Sequence, residues 1–183
     1  MIYFDNSSTT SLAPEVLAVY KQLLATTYGN PDSLHQVGRK ANGLMETARQ
    51  KIAHMLGVKG SEILFTASAS EANTMAIIGY ALANTSRGKH VLISNVEHPS
   101  VDHAADVLSQ LGFDVEKMPI NEQGIITPEC VQSYMRKDTI LVSTMHVNNE
   151  MGAINPIREI EKVVHQNPCL LYTSPSPRDY AAS

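Results

Sequence analysis

Only two cysteines, Cys130 and Cys169, occur in 183 residues. They are too few and too far apart for a disulfide framework or a zinc site, which makes a reducing compartment the default. No apolar run approaches the length of a membrane helix, and the opening Met1-Ile-Tyr-Phe-Asp5 lacks the basic-then-apolar layout of a signal peptide. An excess of basic charge is missing as well. Fourteen basic against 18 acidic side chains leave a net charge of −4, which speaks against a nucleic-acid binder or a membrane-surface protein. No pair of glycines stands as Gly-x-Gly, so the dinucleotide fingerprint fails at its first element. The phosphate loop ending in Gly-Lys-Ser/Thr, the His-Glu-x-x-His zinc motif and the calcium-loop signature are absent too, and no metal site is expected. Hydrophobic residues at 43% against 17% charged exclude a disordered chain. What remains is a soluble, cytoplasmic class of protein with the length of one ordinary domain.

Periodicity alternates between helix and strand. Pro14 opens a first helix with Val16, Val19, Tyr20 and Leu23 on one face, and Gly29-Asn-Pro31 breaks the chain. A long helix is expected from about Ser33 to Leu56, stopped by Gly57. Strands are expected at Glu62–Thr66, His90–Ser94, Phe113–Met118 and Thr139–Ser143. Between and after them come helices from Ser70, from Pro99, from Pro128 with Thr127 as cap, and from Pro156 with Asn155 as cap. Nearly all-apolar strands separated by helices predict parallel βαβ units covered on both faces. The expected fold class is α/β, a three-layer α/β/α arrangement with a mainly parallel sheet. The end of the chain, from Leu171 through Ser174-Pro-Ser-Pro-Arg-Asp179, has no apolar period and reads as an unpacked tail.

Polar clusters follow three of these strands. Thr66-Ala-Ser-Ala-Ser70-Glu-Ala-Asn73 is a run of small residues and hydroxyls at a strand-to-helix junction. Free amides and the positive end of the helix dipole suit an anion there, while an ordinary cap in which Ser70 serves its own helix is the plainer reading. Asn95-Val-Glu97-His98-Pro99 puts a histidine where it could stack on a flat ring or move a proton. The other six histidines read mostly as surface or capping residues. His146-Val-Asn148-Asn149-Glu150-Met-Gly152 is either a turn or a site that gives and accepts hydrogen bonds to a polar ring substituent. Ligands gather at the carboxyl ends of strands in an open parallel sheet, so three clusters there favour one shared site.

In order along the chain stand Asp5-Asn6 with Thr9-Thr10, Gly29-Asn-Pro31 with Ser33, Leu34, His35, Gly38 and Arg39, Phe65-Thr66 to Ser70-Glu71-Ala-Asn73, Glu97-His98-Pro99, and Asn148-Asn149-Glu150-x-Gly152. This set resembles the cysteine desulfurases, pyridoxal-phosphate enzymes of the class V aminotransferase family and of fold-type I. By position, the resemblance implies that Ala69 and Ser70 hold the cofactor phosphate, that His98 stacks on the pyridine ring and assists proton transfer, and that Asn149 bonds the ring hydroxyl. It implies L-cysteine as substrate and L-alanine as product. The sulfur would pass as a persulfide to an acceptor or scaffold protein for iron–sulfur cluster assembly or thiolation, in a homodimer. Related enzymes of the same fold, such as a selenocysteine lyase or an aminotransferase, and a non-catalytic binding module are the alternatives.

The sequence departs from the family pattern in places. Ser68 replaces a usual glycine, a strained choice if that position needs a positive φ, and Ser8 replaces a usual alanine. The family's Schiff-base lysine and nucleophilic cysteine have no counterpart here: no lysine stands in the family's setting, and neither Cys130 nor Cys169 matches. The resemblance therefore implies an N-terminal part of the large cofactor-binding domain over residues 1–168, inactive by itself. Residues 169–183 resemble translated adapter sequence and are expected to be a non-native tail.

Overall fold

Each proline expected to open a helix does so where its missing amide costs nothing, except at the last helix. The computed structural model describes residues 2–3, 6, 9–166 and, by their backbone, 170–173. Asp5, Ser8, Cys169 and the end of the chain from Ser174 lie outside the described residues. The chain divides into two compact units, residues 1–65 and 66–183.

The first unit carries α1 (Pro14–Thr26) and α2 (Gln36–Leu56). The second helix starts later than its apolar pattern suggests, because the Ser33 amide closes a turn onto the Asn30 carbonyl at 3.0 Å. His35 is the cap: its Nδ1 accepts from the Gly38 amide at 3.2 Å. Gly57 ends the helix in the left-handed region, φ 68°, which glycine enters without steric cost. The strand expected at Glu62–Thr66 does not form. A single 3-10 turn (Gly60–Glu62) precedes it, and the Ile63 carbonyl accepts from the Arg49 guanidinium instead of from a neighbouring strand. A β-pattern becomes a strand only when a ladder satisfies its backbone, and this segment finds none.

The second unit is the α/β body. Its helices are α3 (Ala69–Ala83), α4 (Pro99–Gln110), α5 (Pro128–Tyr134) and α6 (Ile157–His165). Its strands β1 (His90–Ser94), β2 (Asp114–Met118), β3 (Thr139–Thr144) and β4 (Leu170–Thr173) form a parallel sheet in the order β2-β1-β3-β4. Every residue of the central strands β1 and β3 is buried, while β2 at the edge is half open. Side chains alternate across the sheet. Val91 and Ile93 pack with Ile77 of α3 and Val101 and Leu108 of α4, whereas Leu92 and Val142 pack with Val131 of α5 and Ile160 and Val164 of α6. Helices on both faces give the expected three-layer α/β/α arrangement.

Two expectations are corrected here. Leu171–Thr173, read from sequence as the start of an unpacked tail, joins Leu170 in a strand that pairs in parallel with Leu141–Thr144. The open edge of β3 supplies the partner that no local pattern could show. Asn155 does not cap α6. Its Oδ1 accepts from the buried Ile126 amide at 2.8 Å and its Nδ2 donates to the Met145 carbonyl at 2.7 Å, so the helix begins beyond Pro156 without a side-chain cap.

Candidate functional site

The residues singled out in the second unit lie in the α3 entry and just beyond β1 and β3, and hydrogen bonds between distant segments tie them together. At α3 the cap is Ser68, not Ser70. Ser68 Oγ accepts from the Glu71 amide at 3.2 Å, and the Glu71 carboxylate reaches back to the Ala67 amide at 2.6 Å. This reciprocal arrangement is close to a capping box. Ser68 has φ −158°, ordinary extended backbone, so serine in place of glycine brings no strain. With the cap made elsewhere, the Ser70 hydroxyl is not needed by its own helix. Ala69 and Ser70, both exposed, carry first-turn amides for which the α-helix has no carbonyl.

β1 ends at Ser94, and the chain turns through Glu97 into α4. His98 is the N-cap of that helix: Nδ1 accepts from the Ser100 amide at 3.1 Å and lies 2.8 Å from Ser100 Oγ. Ser100 Oγ in turn accepts from Nδ2 of Asn73, one turn along α3 from Ser70, at 2.9 Å. The helix that carries the phosphate candidates is thus tied, through Asn73, to the ring candidate. Asn73 and Ser100 are buried, while the His98 ring is exposed.

Beyond β3 the two asparagines divide the two roles that sequence left open. Asn148 is buried and builds the turn. Its Oδ1 accepts from the amides of Glu150 (2.9 Å) and Met151 (2.8 Å), and its Nδ2 donates to the Val96 carbonyl at 3.0 Å, joining the β3 loop to the β1 loop. Gly152 closes the turn at φ 70°. Asn149 is exposed at its tip, with an amide that no described side chain or backbone group engages. The pair is a turn and a candidate contact at once.

Glu97 was not singled out for a role by the sequence. Only 8% of it is exposed. Ser94 Oγ donates to Oε1 at 2.8 Å, and among the described residues Oε2 has no partner at hydrogen-bond distance. Loss of water pushes its carboxyl up to about 7; the Ser94 hydroxyl and the Ser94 and Met145 backbone oppose this, and Asp102 adds to it. The signal that could have found it is its place: an acid three residues beyond a nearly all-apolar strand.

Cys130 sits elsewhere, near the start of α5. Its amide satisfies the Thr127 cap, its thiol donates to the Pro119 carbonyl at 3.5 Å, and burial pushes the thiol up, the wrong direction for a nucleophile. His90 departs from the surface reading of the lesser histidines. It is fully buried at the start of β1, between Thr139 Oγ1 (2.7 Å) and Glu116 Oε2 (3.3 Å). Among the described residues no group of three His, Cys, Asp or Glu could hold a metal ion, and no helix is long and apolar enough to cross a membrane.

The profile of the family described as aminotransferase class-V matches residues 2–174. The chain belongs to that family. A NifS/IcsS protein homolog of Lactobacillus delbrueckii subsp. bulgaricus is 46% identical over 168 residues, spanning 92% of this chain and 44% of that protein. The cysteine desulfurase IscS of Dictyoglomus turgidum is 41% identical over 172 residues, 94% of this chain and 44% of that one. Among solved structures, a NifS-like protein superposes with a TM-score of 0.89 at 34% identity, covering 94% of this chain and 48% of its own. SspA in complex with cysteine superposes at 0.87 and 34%, covering 93% and 49%. The chain therefore spans less than half the length of these relatives, and its fold is that of the NifS-like members of the family.

Proposed function

We propose that this chain is the cofactor-holding part of a pyridoxal-phosphate-dependent cysteine desulfurase, which releases L-alanine from L-cysteine and passes the sulfur on as a persulfide. The observation that carries this reading is the division of labour at α3: Ser68 makes the cap, and the amides of Ala69 and Ser70 and the Ser70 hydroxyl are left for an anion, one helix turn from the network that ends on His98. The exposed ring of His98 suits a flat heterocycle, and the Asn149 amide suits its hydroxyl. An anionic, planar, hydroxyl-bearing group therefore fits the residues present.

Bound there, the cofactor supplies an electron sink for bond breaking next to the substrate amine. The chain's own share is to bind and orient. Ala69 and Ser70 hold the phosphate through charge-assisted hydrogen bonds. His98 would stack on the ring and offer a nitrogen for proton transfer, and Asn148 keeps Asn149 in position by fixing the turn beneath it. The lysine that anchors the cofactor and the cysteine that takes the sulfur belong, in this reading, to parts of the whole protein beyond these residues. The homodimer, the cytoplasmic location and the acceptor protein belong to the same proposal, supported by the family resemblance alone.

Titrating the 183-residue chain with pyridoxal phosphate, followed by borohydride reduction, tests the reading. Saturable non-covalent binding is expected, weakened roughly ten- to a hundredfold in Ser70→Ala because a hydrogen bond to a charged group contributes about 1.5–3 kcal/mol. No lysine should be specifically labelled. Binding insensitive to Ser70→Ala, or specific capture at one lysine of this chain, would defeat it.

A further inference from the structure

His98 meets Ser100 twice, and the direction of those contacts determines where the ring carries its proton. A backbone amide can only donate, so the 3.1 Å contact from the Ser100 amide makes Nδ1 an acceptor, hence unprotonated. The second contact, 2.8 Å between Nδ1 and Ser100 Oγ, must then be donated by the hydroxyl. That hydroxyl is polarised the same way from behind, since Asn73 Nδ2 donates to Ser100 Oγ at 2.9 Å. The order is Asn73 N–H to Ser100 O, then Ser100 O–H to His98 Nδ1. With Nδ1 occupied by two donors, the proton of the neutral ring resides on Nε2.

We propose that Ser100, backed by Asn73, is a positioning residue for His98. It holds the imidazole by Nδ1 in a single tautomer and presents Nε2–H as the ring's only free donor. A cap alone would need only one acceptor for one amide. Here the second donor comes from a buried hydroxyl whose own acceptor position is filled by a buried amide from α3, so the device spans two helices. It also couples α3 to the ring: a shift of the α3 first turn would move Asn73, and with it Ser100 and the imidazole. The bearing on catalysis rests on the cofactor reading above, but the tautomer does not.

Ring 15N NMR on the ligand-free chain tests this without any variant. The expected spectrum at neutral to mildly alkaline pH has His98 Nδ1 at the unprotonated position and Nε2 at the protonated one; a protonated Nδ1 would overturn the proposal. Ser100→Ala, which keeps the amide contact but removes the hydroxyl donor, should move the two resonances toward each other as one donor holds the tautomer less firmly than two, and Ser100→Thr, which keeps the hydroxyl, should restore the native separation. An unchanged spectrum in a folded Ser100→Ala protein would also overturn it. Adding pyridoxal phosphate then tests the cofactor reading separately: His98 resonances that fail to move would count against that reading and leave the ligand-free tautomer result standing.

Discussion

A single buried carboxyl sets the clearest pH dependence of this chain. Glu97 is held with its carboxyl near 7 rather than its ordinary 4.5, chiefly by loss of water. Between those values the folded state binds more protons than the unfolded one, so this group makes stability fall as pH rises from about 4.5 to about 7. The full span corresponds to at most about 3 kcal/mol. His90 acts in the opposite sense. Burial and then Arg136 push it down from 6.5, its contact with Glu116 opposing them, so it costs stability as pH falls below 6.5. Glu97→Gln keeps an acceptor for Ser94 and removes only the first effect. Urea unfolding at pH 5 and pH 8 should show the variant more stable than the native chain at the higher pH, with the rising His90 limb retained; identical slopes in both proteins would refute the assignment. Sequence placed Glu97 beside a strand end but could not show its burial, because the groups enclosing it include Met145, far along the chain. His90 was hidden for the same reason: Thr139 and Glu116 come from neighbouring strands.

At the scale of elements, the β3 loop shows how one of two identical neighbours becomes structural. Asn148 satisfies two amides and ties down a carbonyl 52 residues away, whereas Asn149 engages none of the described groups. Asn148→Ala is expected to cost about 2–3 kcal/mol, since it strips several partners at once from a buried turn. Asn149→Ala should stay within about 0.5 kcal/mol. If the proposed cofactor binds there, the order should reverse in pyridoxal-phosphate binding for any variant that remains folded, with Asn149→Ala weakening affinity directly. Chemical denaturation and a binding titration on both variants check this, and equal destabilisation would refute the division. Helix starts were legible where a proline and a hydroxyl coincided, as at Thr127-Pro128, where Thr127 Oγ1 accepts from the Cys130 amide at 3.2 Å. They were misread where a polar side chain had a better partner outside its helix, as with Asn155, and where two serines competed for one cap, as with Ser68 and Ser70.

In the α/β unit, two apolar layers lie on opposite faces of one sheet, one beneath α3 and α4 and the other beneath α5 and α6. Ile77→Val and Ile160→Val, one in each layer, should each cost about 1 kcal/mol. They share no cluster, so the double variant should equal their sum within about 0.5 kcal/mol. Equilibrium unfolding of the three variants measures this, and a larger discrepancy would mean the layers are coupled through the sheet. The α/β class, the strands β1, β2 and β3, the inward faces of α4 and α6 and the family were determined by the sequence alone. Each rests on periodicity or on short ordered motifs, which depend on residues a few positions apart. The tertiary structure decided the rest: that Glu62–Thr66 is no strand while Leu170–Thr173 is one, that Asn148 builds and Asn149 is left over, and that His98 is held through Ser100 from α3. These outcomes turn on which donor meets which acceptor after segments tens of residues apart converge. A buried polar group must find its partner wherever the fold brings one.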